Sequence, residues 1–184
     1  MNRREELLDQ VVDHVREHGL IGLTLRPLAK AIGTSDRMLL YHFTSRDALV
    51  TAVIARSEDR AIAAVDALEG VSGVRAGVNA LWRAYQTEPL HACLDLYVQA
   101  AATGLIGQEP YLSVVREANE RWAAALRRYL VRCGAPPERV ARIVTLVDSS
   151  LYGFQLDLAT DRAEELARGV DDLAAAAQAL ADQP

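Results

Sequence analysis

An all-α chain of about nine helices is what the sequence predicts, and three observations predict it. Period-2 alternation of apolar residues never persists, no Asn-Gly or Asp-Gly hairpin turn occurs, and apolar residues return at helical spacing from one end to the other. The 184 residues are 51% hydrophobic, 24% charged and 5% aromatic, which suits a globular chain and excludes a disordered, collagen-like or disulfide-stapled one. Cys93 and Cys133 stand far apart without metal or redox spacing, and so read as reduced core thiols. The first residues alternate charged and apolar types without the apolar stretch of a secretory signal, and no run approaches a membrane span. A cytoplasmic protein with no membrane contact is therefore expected.

The elements follow in order. Leu7, Leu8, Val11, Val12 and Val15 form one stripe that ends before Gly19. After Ser45, an N-cap residue type, Leu49, Val53, Ile54, Ala61, Val65 and Leu68 carry an apolar face up to Gly70, a helix over 46–69 of about six turns. Beyond a 70–73 break, helices are predicted at 74–87, 89–104, 110–133, 137–159 and 162–181, separated by Gly- and Pro-containing segments.

The segment 24–43 carries the most information. Thr24 is placed to cap a helix start, Pro27 is tolerated in a first turn, and Leu28, Ala29 and Ile32 give a short apolar face. Gly33 supplies a left-handed cap, after which Ser35 caps a second helix with Asp36 at its positive end. Two short helices joined by a Gly-containing turn make a helix-turn-helix. At 100° per residue, Leu39 and Phe43 fall on one side of the second helix. Arg37 and Tyr41 fall opposite, flanked by Met38 and Leu40. An outward Met-Leu pair beside Arg and Tyr suits a partner surface better than a solvated face. In a DNA major groove Arg pairs with guanine, apolar groups touch thymine methyls, and Tyr and His reach phosphates.

Residues 1 to about 55 thereby resemble the DNA-binding domain of the TetR/AcrR family of transcriptional regulators. The resemblance rests on the first helix ending near Gly19, Thr24-Leu25-Arg26, Leu28-Ala29 before Gly33, Ser35, Leu39, Tyr41-His42-Phe43, and Ser45 through Leu49 opening a long helix. It implies a DNA-binding set of Thr24, Arg26, Ser35, Arg37, Met38, Leu40, Tyr41, His42 and Arg46, with His42 and Arg46 on phosphates. Arg46 also starts a helix, where N–H groups attract phosphate. Leu40 and Asp36 depart from the family's usual Tyr and basic or neutral residue, so no operator sequence carries over. The resemblance further implies a domain at 1–50 for DNA and one at 51–184 for effector binding and dimerisation.

In that second region Trp82, Tyr85, Tyr97, Trp122 and Tyr129 recur at helical spacing. Through the resemblance, Trp82, Tyr85, Tyr97, Gln99, Asn119 and Trp122 become the candidate lining for a small, mostly apolar effector. Gly153, inside an apolar helix, calls for a close helix approach. The resemblance assigns the last two helices to a homodimer seam with Val147, Leu151, Phe154, Leu158, Leu166, Val170 and Leu173. His91, Cys93 and Asp95 stand at i, i+2 spacing on a helix and cannot share one metal, so neither metal nor cofactor is expected. No nucleophile elbow, phosphate loop or usable carboxylate pair supports an enzyme. The expectation is a homodimeric, ligand-responsive repressor of a double-stranded operator. The alternative is a ligand-independent or architectural DNA-binding protein whose C-terminal part only dimerises.

The net charge of −5 bears on this expectation. Residues 1–50 hold seven basic and seven acidic side chains, so the acid excess lies downstream. Few cations on each reading head mean weak nonspecific affinity, which makes operator binding depend on pairing two heads.

Overall fold

The computed structural model describes residues 2–183, and among these residues it has nine α-helices and no strand. They are α1 (Arg3–His18), α2 (Leu25–Ala31), α3 (Asp36–Phe43), α4 (Arg46–Asp66), α5 (Val74–Tyr85), α6 (Leu90–Leu105), α7 (Tyr111–Arg132), α8 (Val140–Asp157) and α9 (Ala163–Ala181). Every bound expected from α4 onward is met within three residues. No helix among the described residues is long and apolar enough to cross a membrane.

The chain divides into two compact units. The first holds the described residues up to Ala61 together with Pro89–Glu120; the second holds Ile62–Glu88 and the described residues from Arg121 onward. The boundary expected after residue 50 falls inside α4, which runs through it unbroken. Residues 89–120 join the first unit because Leu96, Ala100 and Tyr111 lie in the same buried cluster as Leu7, Val11, Leu28, Leu39 and Leu49.

Local chemistry sets the helix ends in the first unit. Asn2 accepts from the Glu5 N–H at 3.0 Å, and the Glu5 carboxylate accepts from the Asn2 N–H at 3.1 Å, a reciprocal cap that starts α1. Gly33 turns the chain at φ +71°, a conformation that costs glycine little. Ser35 Oγ then accepts from Met38 N–H at 3.2 Å and Ser45 Oγ from Ala48 N–H at 3.0 Å, so α3 and α4 are capped as their sequences predict. Thr24 corrects the expectation: it is the N-cap residue of α2, but its side chain makes no cap hydrogen bond. Asp9 pairs with Arg60 at 2.9 Å and Arg56 at 3.8 Å, pinning α1 to α4.

In the second unit α9 packs on both α5 and α8. The helix expected to reach residue 69 ends at Asp66, where its terminal carbonyls find an outside donor. Arg132 Nη2 donates to the carbonyls of Val65, Asp66 and Leu68 at 3.2, 3.4 and 3.2 Å. Arg128 forks the Asp66 carboxylate at 3.1 and 2.7 Å, and this bond holds the carboxyl below its ordinary pKa. The residues expected at a subunit seam are distributed unevenly. Val147, Leu151, Leu166, Val170 and Leu173 are buried within this single chain, while Phe154 and Leu158 are half-buried. The close approach expected at Gly153 is absent within the chain, since a Cβ there would meet nothing within 4 Å. Gly169 is the tight position: a Cβ there would come within 2.9 Å of the Phe154 ring.

Candidate nucleic-acid interface

The α3 helix is eight residues long and spends two of them, Leu39 and Phe43, on the core. That anchoring forces the opposite side outward. Tyr41 is 77% exposed, Leu40 42% and Met38 40%, and Arg37 is exposed beside them. Thr24, Arg26 and Ser35 are also exposed, so seven of the nine expected DNA-facing residues lie open on the surface of the first unit. The Asp36 carboxylate accepts from the Arg37 N–H at 3.0 Å, which turns this acid toward the helix start.

The two expected phosphate ligands sit differently. His42 is half-buried, its ring edge-on to Tyr41 with centroids 5.0 Å apart, and its Nε2 is buried without a hydrogen-bond partner. A phosphate therefore reaches that nitrogen only after the ring turns. Arg46 is half-buried, and its guanidinium bonds to groups of the chain itself. Its Nε donates to the Leu23 carbonyl at 2.8 Å, Nη2 to the Tyr111 hydroxyl at 3.1 Å, and Nη1 to Asp47 at 3.2 Å. One basic residue the sequence reasoning passed over is Arg4. Its Nε donates to the His42 carbonyl at 3.3 Å, and its guanidinium lies 4.9 Å from the centre of the Phe43 ring, bracing the end of α3.

The six residues expected around an effector fall in both units. In the first, Tyr97 donates its hydroxyl proton to Asn119 at 2.7 Å, and Gln99 accepts from the backbone of Leu20 and Ile21. In the second, Tyr85 and Trp122 pack at 6.2 Å between ring centres, and Trp82 meets Phe154 edge-on at the same distance. The Trp122 indole N–H donates to Asp148 Oδ1 at 2.9 Å. Burial pushes the Asp148 carboxyl up to about 6, against the opposing pull of that bond. Tyr85 is fully buried with no partner for its hydroxyl, and burial first, then Asp148, raises its pKa well above the ordinary value. Asp148 was missed in the sequence although a signal existed, an acid set inside a strongly apolar helix. Tyr111 had no such signal, because its partner Arg46 lies 65 positions away.

Residues 7–53 match the family described as bacterial regulatory proteins, tetR family. An HTH-type transcriptional repressor of Mycobacterium tuberculosis, Rv1474c, is 28% identical, over 81% of this chain and 92% of that protein. A transcriptional regulator from Rhodococcus sp. Rha1 superposes with a TM-score of 0.74 at 19% identity, over the whole of both chains. The multidrug binding protein EbrR, in complex with proflavin, gives 0.70 at 18% identity over 96% of this chain and 99% of that one. These two likenesses show the fold.

Proposed function

From the tetR-family match of residues 7–53 and the likeness to the repressor Rv1474c, we propose that the chain is a DNA-binding regulator of the TetR family, a homodimeric repressor released from its operator by a small molecule. The observation that carries the DNA part is the outward face of α3. Arg37 and Tyr41 stand where a helix laid in a major groove meets bases and phosphates, with Met38 and Leu40 beside them for thymine methyls. Two such helices, one per subunit, would enter successive grooves of a near-palindromic site about 34 Å apart.

For the subunit contact, the outward face of α8 supports a revised seam. Thr145, Ser149, Gly153 and Leu156 share one side of the helix at i, i+4, i+8 and i+11. The first three are small, so a partner helix can come close. Leu156 is 56% exposed, and a shallow groove beside this face is lined by Arg142, Thr145, Leu146 and Leu180. A second copy covering this face would account for the glycine that nothing in the single chain explains.

For the effector, the second unit offers the aromatic frame of Tyr85 and Trp122 with a half-buried acid. A buried hydroxyl without a partner and a carboxyl held by one indole N–H are costly to leave so. A mostly apolar ligand carrying a hydrogen-bond donor would relieve both. EbrR, of the same fold, holds proflavin, which supports a small-molecule role for this architecture. The alternative, a regulator that needs no ligand, draws support from Tyr97, Asn119 and Gln99, whose polar atoms bond within the chain.

The test is direct. Arg37→Ala and Tyr41→Ala are expected to abolish specific binding to the DNA upstream of the protein's own gene while leaving thermal stability unchanged. If both variants bind that DNA as the parent does at equal salt, the reading face is elsewhere. A thermal-shift screen decides the effector part, because a ligand bound at 100 times its Kd stabilises by about 2.7 kcal/mol.

A further inference from the structure

Residues 19–24 connect α1 to α2 and lead directly into the exposed Thr24 and Arg26. This loop is gripped from two sides by residues outside the helix-turn-helix. On one side Gln99, in α6, accepts at its single Oε1 from the backbone N–H groups of Leu20 at 2.7 Å and Ile21 at 3.3 Å. The fit is tight: Gly19 has φ +86°, and a Cβ there would stand 3.1 Å from that same oxygen. On the other side Arg46, the first residue of α4, donates to the Leu23 carbonyl at 2.8 Å. Its Nη2 reaches the hydroxyl of Tyr111, the first residue of α7, whose ring is buried in the core of the same unit.

The arrangement bears on what Arg46 does. Each of its three guanidinium nitrogens already has an acceptor within the chain, Leu23, Asp47 and Tyr111, which takes three of its five N–H groups. A phosphate ligand keeps N–H groups free for the phosphate; a strut spends them at home. Gln99 has likewise spent its amide oxygen on the loop, which leaves less of it for an effector. Two backbone donors and one backbone acceptor within four consecutive residues are thus tied to α6, α4 and α7.

Resting on the reading of α2 and α3 as the DNA-binding head, we propose that Gln99 and the Arg46–Tyr111 pair form a two-point clamp on the 19–24 loop. On this account they are positioning residues for DNA recognition, and Arg46 acts as an internal strut and does not hold a phosphate. The clamp fixes the entry to α2 relative to α6 and the start of α7. A displacement of either helix then reaches Thr24 and Arg26 through hydrogen bonds, without any contact between a ligand and the head.

Salt dependence separates a strut from a phosphate ligand. Removing one phosphate contact lowers the slope of log K against log salt by about 0.9 per subunit, whereas removing a strut leaves the slope unchanged. Tyr111→Phe, Gln99→Leu and Arg46→Ala are compared with the parent on the upstream DNA between 50 and 300 mM salt, with Tyr41→Ala as the control for the reading face. All three clamp variants are expected to weaken specific binding by about tenfold with the parental slope, as loss of a hydrogen bond to a charged or buried partner does. Tyr111→Phe keeps its ring in the core and changes no charge, so its loss of affinity speaks for the strut alone. The proposal is overturned if Arg46→Ala lowers the slope while Tyr111→Phe binds like the parent.

A second measurement needs no DNA and stands whether or not the reading face is right. In the free protein, Gln99→Leu is expected to speed amide hydrogen exchange at Leu20 and Ile21 by tenfold or more, with the amides of Leu7 through Val15 unchanged. Parental exchange at both amides in that variant also overturns the clamp.

Discussion

The α3 and α8 helices both carry residues singled out in the sequence as facing a partner, and the structure treats them oppositely. On α3 the expected outward residues are outward: Arg37, Met38, Leu40 and Tyr41 are all exposed. On α8 the expected seam residues Val147 and Leu151 are fully buried in the chain's own core, and the outward side is Thr145, Ser149, Gly153 and Leu156. How clearly a helix shows its own sidedness depends on how many apolar faces it carries. An eight-residue helix with a single pair of core-facing apolar positions has one way to turn. An eighteen-residue helix with apolar residues on several sides offers its core more than one face.

Charging adjacent positions of α3 tests this sidedness. Leu39→Asp buries a charge without a partner and is expected to destabilise the protein by about 4 kcal/mol or more. Leu40→Asp, one residue on, is expected to leave the melting temperature within a degree or two while weakening DNA binding by like-charge repulsion. Thermal melts followed by circular dichroism, with binding measured on the same samples, check both. Equal melting losses would mean that α3 is rotated from the orientation described.

On α8 the matching pair is Leu151→Ala and Gly153→Arg. The first removes fully buried methyl groups and is expected to cost about 2–5 kcal/mol. The second places a large cation in open space, so it is expected to leave monomer stability nearly intact and to separate the proposed dimer. Sedimentation velocity distinguishes them, and a dimer that survives Gly153→Arg would move the seam off this face.

Asp148 gives a smaller effect with a defined sign. Its folded pKa of about 6 lies above the ordinary carboxyl value of 3.8, so folding favours the protonated form. The stability it allows is fully present below pH 3.8 and is lost as pH rises through about 6. A shift of that size corresponds to about 3 kcal/mol at most, reduced by whatever solvent reaches this half-buried group. Asp148→Asn keeps an acceptor for Trp122 and is therefore expected to melt higher than the parent at pH 8, with the gap closing toward pH 4. A gap that stays constant across that range would remove the buried charge as its cause. The smallest effect is expected from Ser35→Ala, which loses the cap of α3 at about 1 kcal/mol.

Legibility in the sequence followed the range of the interactions. The helix-turn-helix was readable because its signals are local: Gly33 at positive φ, Ser35 and Ser45 as caps, and Leu39 and Phe43 four apart. Thr24 shows the limit even there, since the residue type allows a cap that the chain does not make. The residues expected around an effector were less readable. Tyr85 and Trp122 do lie together, but Gln99 turns to the loop after α1, and Asp148 emerges only when α7 and α8 bring it to the Trp122 indole.

Periodicity and turn chemistry in the sequence alone determined the number and order of the helices, the caps that start α3 and α4, and the outward face of α3. These depend on residues within about a turn of one another, where 3.6-residue geometry leaves few choices. Only the tertiary structure decided which side of α8 is buried, which residues of 89–120 join the first unit, and where the Arg46 guanidinium points. Those depend on partners tens of positions away, such as Tyr111 for Arg46 and Leu20 for Gln99. Pairing at that range is chosen by packing the whole core at once, and no local pattern encodes it.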